Sequence, residues 1–192
     1  MKPEPTLEAL FDSPVRARVL KVFIYAPERN FTPKEIAKKL NARTALINKH
    51  IKCLAEIKFI KSKSAGGRKS FKVNRDFDFY SELKELAAKA SPASKAKMLK
   101  RIAGLGRIKL AIIAGVFINS DTSRADLLVV GDGVKPAKFN KFLSELEAEA
   151  GREINCALMT TKEFQYRYGM YDRFVRDMLD FKHEKLINKI RI

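Results

Sequence analysis

Apolar residues recur at helical spacing through the first quarter of the chain. Ser13 and Pro14 supply an N-cap and a first helical position, and Val15, Val19, Val22 and Phe23 follow along one side. Pro27 and Asn30 end that helix. Thr32 and Glu35 form a capping box with Pro33 at its first turn, and Ile36, Ala37 and Leu40 make the apolar side of a second helix. After the turn "NAR" (41–43), Ile47, Ile51 and Leu54 line one face of a third, while Thr44, Asn48, Lys49 and Lys52 lie broadly on the other. The period then changes. "FIKSKSAGGRKSFKVNR" (59–75) reads as two strands around the turn Ala65-Gly66-Gly67-Arg68. "FDFYSELKELAAKA" (77–90) returns to helix, with Phe77, Tyr80, Leu83 and Leu86 on one side.

The second half has a different rhythm. "KASPASKAK" (89–97) is small, polar and basic, as a linker would be, and "MLKRIAGLGRI" (98–108) reads as a short helix leading onward. "KLAIIAGVFI" (109–118) and "ADLLVVG" (125–131) are continuous apolar runs, expected for strands buried on both faces. "KPAKFNKFLSELEAEAG" (135–151) is an amphipathic helix with Phe139, Phe142, Leu143 and Leu146 inward and Gly151 at its end. "EINCALMT" (153–160) is a third strand. Thr160 and Glu163 box the start of the helix "TKEFQYRYGM", and "YDRFVRDML" and "HEKLINKI" add helical turns. The expected organisation is α+β: a helical module with a hairpin over 1–90, a linker over 91–106, and an α/β domain over 107–192.

The 192 residues carry a net charge of +17, unevenly spread. From Lys34 to Arg75 there are 13 Lys and Arg against Glu35 and Glu56; from Arg107 onward there are 15 against 12 acids. A clustered excess of this kind is the electrostatic footprint of a nucleic-acid binder. No run of 18 apolar residues is present and the N-terminus lacks a signal peptide's apolar stretch, so a cytoplasmic protein outside the membrane is expected. Cys53 and Cys156 lack metal or redox spacing and read as buried free thiols. His50 and His183 are far apart in sequence, and His50 reads as a helix-face or phosphate-contact residue. "GLGRIKLA" lacks the Lys-Ser/Thr ending of a phosphate loop and precedes a strand. No metal site and no cofactor is expected.

Three helices and a basic hairpin are the pattern of a winged helix-turn-helix. Residues 7–90 resemble the winged-helix transcriptional regulators of the ArsR and MarR type, through "FTPKEIAKKLNARTALINKHIKCLAEIKFIKSKSAGGRKSFKVN" (31–74). Lys58 departs from the glycine that many members carry before the wing, and Cys53 alone does not reproduce the cysteine pair of the metal-sensing members. The resemblance implies that the third helix enters the major groove of double-stranded DNA. Arg43 then suits guanine and Asn48 adenine, while Thr32, Lys34, Thr44, Lys49 and Lys52 lie close by. Wing residues Lys63, Arg68, Lys69 and Lys72 would follow the adjacent backbone. A helix after the wing commonly builds a homodimer in such proteins; packing against the first helix is the alternative for 77–90.

The second domain resembles the minimal nucleotidyltransferase domain of the DNA polymerase β superfamily. That family pairs a Gly-Ser turn after one strand with Asp-x-Asp at the next and a third acid on a later strand. Two carboxylates hold Mg²⁺ there, and the Gly-Ser turn approaches the triphosphate. Gly115 matches the glycine and Asp126 the second acid. Val116 replaces the serine, Arg124 the first acid, and Asn155 the third. The expected domain is therefore a catalytically degenerate scaffold used for assembly or ligand sensing, not an enzyme. Arg124 with Lys109 or Arg107 would suit a small anionic ligand, or Arg124 would pair with Asp126. The functional expectation is a sequence-specific transcriptional regulator. An active nucleotidyltransferase and an antitoxin-like partner protein are the alternatives.

Overall fold

Ser13 starts the first helix by accepting the Arg16 N–H on its hydroxyl, with Pro14 as the first helical residue. A computed structural model describes residues 11, 13–65, 67–89, 94–118, 120 and 122–190. The fold is mixed α and β and forms two units. One is Met1–Ala90 with Glu147–Glu153; the other is Ser91–Leu146 with Ile154–Ile192. No described helix is long and apolar enough to cross a membrane.

The first unit contains α1 (Pro14–Tyr25), α2 (Pro33–Lys39), α3 (Thr44–Glu56), the strands β1 (Ile60–Ala65) and β2 (Arg68–Val73), and α4 (Tyr80–Lys89). Val19, Val22 and Phe23 meet Ile36, Ile47, Ile51, Leu54 and Phe59 in one buried cluster, the inward positions of the helical periods. Phe31 is tied to β2 by a pair of backbone hydrogen bonds with Phe71, both 2.8 Å. Its ring meets Phe23 edge to face at 5.8 Å, a geometry that favours aromatic pairs. β1 and β2 are antiparallel, with Ala65 opposite Arg68. Gly67 takes a φ of +71°, the left-handed conformation a two-residue hairpin turn demands.

Lys58 also sits in the left-handed region, at φ +60°. It follows the C-cap Ile57 of α3, and its N–H donates to Ala55 O while Phe59 N–H donates to Leu54 O. This is a Schellman ending, in which glycine normally occupies the position of Lys58. Asn74 Nδ2 then donates to Lys58 O at 2.9 Å and pins the start of the hairpin. The left-handed cost for a side chain, about 1–2 kcal/mol, exceeds the unfolded-state entropy that glycine adds, about 0.4–1 kcal/mol. Lys58→Gly is expected to stabilise the protein slightly, by about 0.5–1 kcal/mol. A urea midpoint that moves down instead would contradict this.

Phe77, Tyr80 and Leu83 pack against the core of their own unit, and Tyr25 Oη donates to Ala87 O at 2.8 Å. The apolar side expected to build a dimer is thus covered within the chain. Ala87 is fully buried, whereas Leu86 is 38% exposed.

The second unit contains α5 (Lys95–Ala103), β3 (Arg107–Ile113), a 3₁₀ turn (Gly115–Phe117), β4 (Leu127–Asp132), α6 (Pro136–Ala150, shared at its end with the first unit), β5 (Cys156–Met159), α7 (Thr161–Gly169), α8 (Arg173–Asp180) and β6 (Glu184–Asn188). The sheet order is β5-β4-β3-β6; β4 and β5 are parallel, and the other two pairings are antiparallel. Leu110, Ile112, Leu128 and Val130 pack with Phe164, Val175 and Met178. Ala111, Ile113, Leu127 and Val129, on the other face, are equally inaccessible. Both faces are covered, which is why these strands read as unbroken apolar runs.

The short helix expected within 98–108 is present as α5 but begins earlier, at Lys95, inside the segment expected as a linker: Ser94 Oγ accepts the Lys97 N–H, and Met98 and Ile102 are buried. The polar, basic composition there is that of an exposed helix face. The "HEKLINKI" segment is the strand β6, not helix. Its Leu186-Ile187 pair is too short to fix a period, and the open edge of β3 supplies the partner that decides it. Cys53 and Cys156, expected to be buried, form no disulfide and are half-buried.

Candidate nucleic-acid interface

The capping box at α2 is complete. Thr32 Oγ1 accepts the Glu35 N–H, and Glu35 Oε2 accepts the Thr32 N–H at 2.7 Å and its hydroxyl at 2.8 Å. Those bonds, the backbone one foremost, hold the Glu35 carboxyl below its usual range. The Thr32 hydroxyl is therefore committed to the cap. Around it opens a groove of about 530 Å³ lined by Thr32, Pro33, Lys34, Thr44, Asn48, Arg68 and Lys69. Three elements distant in sequence meet there: the start of α2, the exposed side of α3 and the hairpin tip. Six of the seven residues are among those expected from the sequence. Pro33 was not, although a proline at the first helical position sits at the lip by construction.

Arg43 lies outside this groove, as the exposed N-cap residue of α3 with no side-chain cap. Asn48, Lys49 and Lys52 are exposed on the same helix. Lys52 stands 4.0 Å from Glu56 in a solvated pair of little energetic weight. Lys63 is exposed on β1, and Lys69 lies over the Phe71 ring at 5.6 Å. Lys72 departs from expectation. It is bound to Glu28 at 2.7 Å, and Arg75 reaches the same carboxylate at 2.6 Å. Lys61, opposite Lys72 across the hairpin, pairs with Asp76 at 2.8 Å. The base of the hairpin is therefore partly neutralised, with two carboxylates facing Lys61, Lys72 and Arg75, while Lys63, Arg68 and Lys69 at its tip have no carboxylate partner among the described residues.

His50 is not on the helix surface. It is 4% exposed, with Nε2 bonded to Ser13 Oγ at 3.2 Å and Nδ1 buried without a partner among the described residues. Burial, and then the charges of Arg16 and Lys49, lower its pKa from 6.5. The folded protein therefore holds His50 neutral, and the unfolded chain takes up the proton first as pH falls. The stability that depends on neutral His50 is present above the unfolded pKa and is lost as pH drops from about 7 toward 5. His50→Gln is expected to flatten the dependence of the melting temperature on pH in that window. An unchanged slope would show that His50 is not its source.

In the second unit, Gly115, Asp126 and Asn155 do come together. Asp126 Oδ1 accepts the Val116 N–H and Oδ2 the Asn155 N–H, both at 2.9 Å. Its own backbone bonds Ala114 N and Asn155 O. Gly115 has φ +49°, and a Cβ built on it would fall 2.0 Å from Asp126 Oδ1. The glycine is thus required by the carboxylate itself. Arg124 does not join them: its Nε bonds Asp177 on α8. A pair between Arg124 and Asp126 is excluded, since both are engaged elsewhere. Arg124 precedes β4, whereas Arg107 lies opposite Asp132 at that strand's far end, so Arg124 cannot share a ligand with Arg107 and Lys109. Among the described residues no group of three or more His, Cys, Asp or Glu side chains is placed to hold a metal ion. Set against known protein families, curated proteins and solved structures, the chain matches none of them.

Proposed function

We propose that the first unit is a winged helix-turn-helix that reads duplex DNA, and that the chain is a sequence-specific transcriptional regulator. The observation that carries this reading is the groove where Lys34, Thr44, Asn48, Arg68 and Lys69 converge from two helices and a hairpin. With α3 in the major groove, Asn48 donates to and accepts from adenine, and Arg43 donates a bidentate pair to guanine. Lys34, Lys49, Lys52, Lys63, Arg68 and Lys69 contact phosphates and fix the register. Lys72 is left out of this set because Glu28 already neutralises it.

The second unit is, in this proposal, a nucleotidyltransferase-like scaffold without nucleotidyl transfer. Its support is Asp126, whose two oxygens each accept a backbone N–H, a structural use of the only carboxylate left in the family pattern. Selection of bound fragments from random DNA tests the regulator reading. The wild-type chain is expected to enrich a defined sequence, with Arg43→Ala and Asn48→Ala each relaxing one position by about 1–3 kcal/mol of discrimination. Absence of any enriched sequence with the wild-type chain would refute it. A symmetric pair of half-sites would indicate a two-fold dimer. That dimer would have to use a face other than the side of α4 formed by Phe77, Tyr80 and Leu83.

A further inference from the structure

β3 begins with alternating charge: Arg107 and Lys109 are exposed, while Ile108 and Leu110 are buried. The register against β4 shifts between Ile108 and Leu110, so Lys109 is a bulged residue. Bulges re-aim side chains at sheet edges and sites. On the other side of β3, Leu110 faces Asn188, and the next residue, Lys189, donates its N–H to Lys109 O at 2.7 Å. Two lysines therefore stand directly opposite on antiparallel neighbours, an arrangement that like charge destabilises. Together with Arg107 they line a cleft of about 260 Å³ whose other walls are Ala103, Gly106, Ile108 and Ile187.

The same chain shows how such a pair is otherwise handled. Lys61 and Lys72 also face each other across a ladder, and each has its own acid, Asp76 and Glu28. Neither Lys109, Lys189 nor Arg107 has a carboxylate within ion-pair reach among the described residues. The acid opposite Arg107 is Asp132, and each of its oxygens accepts from Thr161, from Oγ1 at 2.8 Å and from N–H at 3.1 Å. Arg107 and Lys109 act on that carboxylate only at longer range. The cluster keeps a positive excess that no ion pair among the described residues neutralises.

We propose that this cleft is an oxyanion site for a phosphate or diphosphate group. The two lysines supply point charges and Arg107 a planar fork suited to bidentate phosphate contact. The cleft is smaller than the roughly 300–1,000 Å³ typical of drug-sized ligands, which suits one or two phosphate groups rather than a whole nucleotide. It lies at the end of the sheet opposite to Gly115 and Asp126 and stands without the DNA-reading assignment of the first unit.

Titration calorimetry of the full chain with inorganic pyrophosphate tests it. Wild-type protein is expected to bind, and Lys109→Ala/Lys189→Ala to bind at least tenfold more weakly. The surface variant Lys84→Ala, exposed on α4 and outside both clusters, should stay within twofold of wild type. Lys189→Glu, which places a carboxylate opposite Lys109, should melt higher than wild type without anion and show no shift when pyrophosphate is added. No binding by wild type, equal binding by the lysine double variant, or loss of binding in Lys84→Ala would each overturn the site. A parallel titration with a 20-base-pair duplex identifies the source of the phosphate. A loss of duplex affinity in Lys109→Ala/Lys189→Ala assigns it to a nucleic-acid backbone. A loss confined to pyrophosphate assigns it to a small phosphorylated ligand.

Discussion

Asp126→Asn is expected to cost about 3–5 kcal/mol, a large part of the total stability of a small domain. The amide that replaces one oxygen presents N–H groups to the N–H of Val116 or Asn155, so one charge-assisted bond is lost and one buried donor is left unpaired. Gly115→Ala should be comparably damaging. It forces a left-handed φ on a side chain and drives Cβ into the Asp126 carboxylate. Arg124→Ala should change stability by about 0–1 kcal/mol, because the Arg124–Asp177 pair is partly solvated. Val116→Ser should also be mild, since the bond at that position is made by the backbone. Urea denaturation of the four variants checks this order. A functional carboxylate behaves in the opposite way, because active sites are commonly strained and their removal relieves the fold. Neutral or stabilising behaviour of Asp126→Asn would therefore reinstate a ligand-binding role. The same reasoning means that loss of a transfer activity in Asp126→Asn would report the fold. Nucleotidyl transfer has to be sought with the wild-type chain.

How far the chain was legible depends on whether local rules and tertiary demands agree. The capping box of Thr32 and Glu35, the hairpin turn at Gly67 and the doubly buried strands β3 and β4 are written locally and form, although the run expected as one strand to Ile118 ends at Ile113 and gives way to the 3₁₀ turn Gly115–Phe117. Helix ends were harder. Asn41, Lys58 and Tyr171 all take a positive φ after α2, α3 and α7, at positions where glycine would have announced the stop. Among the described residues, only Gly151, at φ +75° after α6, follows the rule. β6 was illegible because its conformation is set by the open edge of β3, more than 70 residues earlier. The residues of the proposed interface were legible as types but not as pairs. Nothing near Lys72 in sequence reveals that Glu28 neutralises it, nor does Asp126 reveal that Asn155 and Val116 occupy its oxygens. His50 looked like a surface residue because its helical neighbours Lys49 and Lys52 are exposed. Its position toward α1 depends on Ser13, which sequence alone leaves unconnected.

The hairpin's division into a neutralised base and a free tip leads to the second large effect. Each phosphate contact displaces condensed counterions, so affinity for duplex DNA falls with salt at a slope of about −0.9 per contact. If the tip follows the backbone, the triple variant Lys34→Ala/Arg68→Ala/Lys69→Ala should flatten the slope of log affinity against log salt by about 3. It should also weaken binding to all sequences alike, since phosphates carry no sequence information. Lys72→Ala should leave the slope nearly unchanged, because Glu28 already balances that charge at 2.7 Å. Glu28→Gln should steepen it, by freeing both Lys72 and Arg75 to attract the duplex. Fluorescence anisotropy between 50 and 200 mM salt separates these variants, because six to ten contacts change affinity by roughly 10³–10⁵ over that range. If Lys72→Ala flattened the slope as much as the loss of Lys69, the base of the hairpin rather than its tip would be facing the DNA. The groove between α2, α3 and the wing would then lie away from the duplex, and the assignment of Asn48 to a base edge would fall with it.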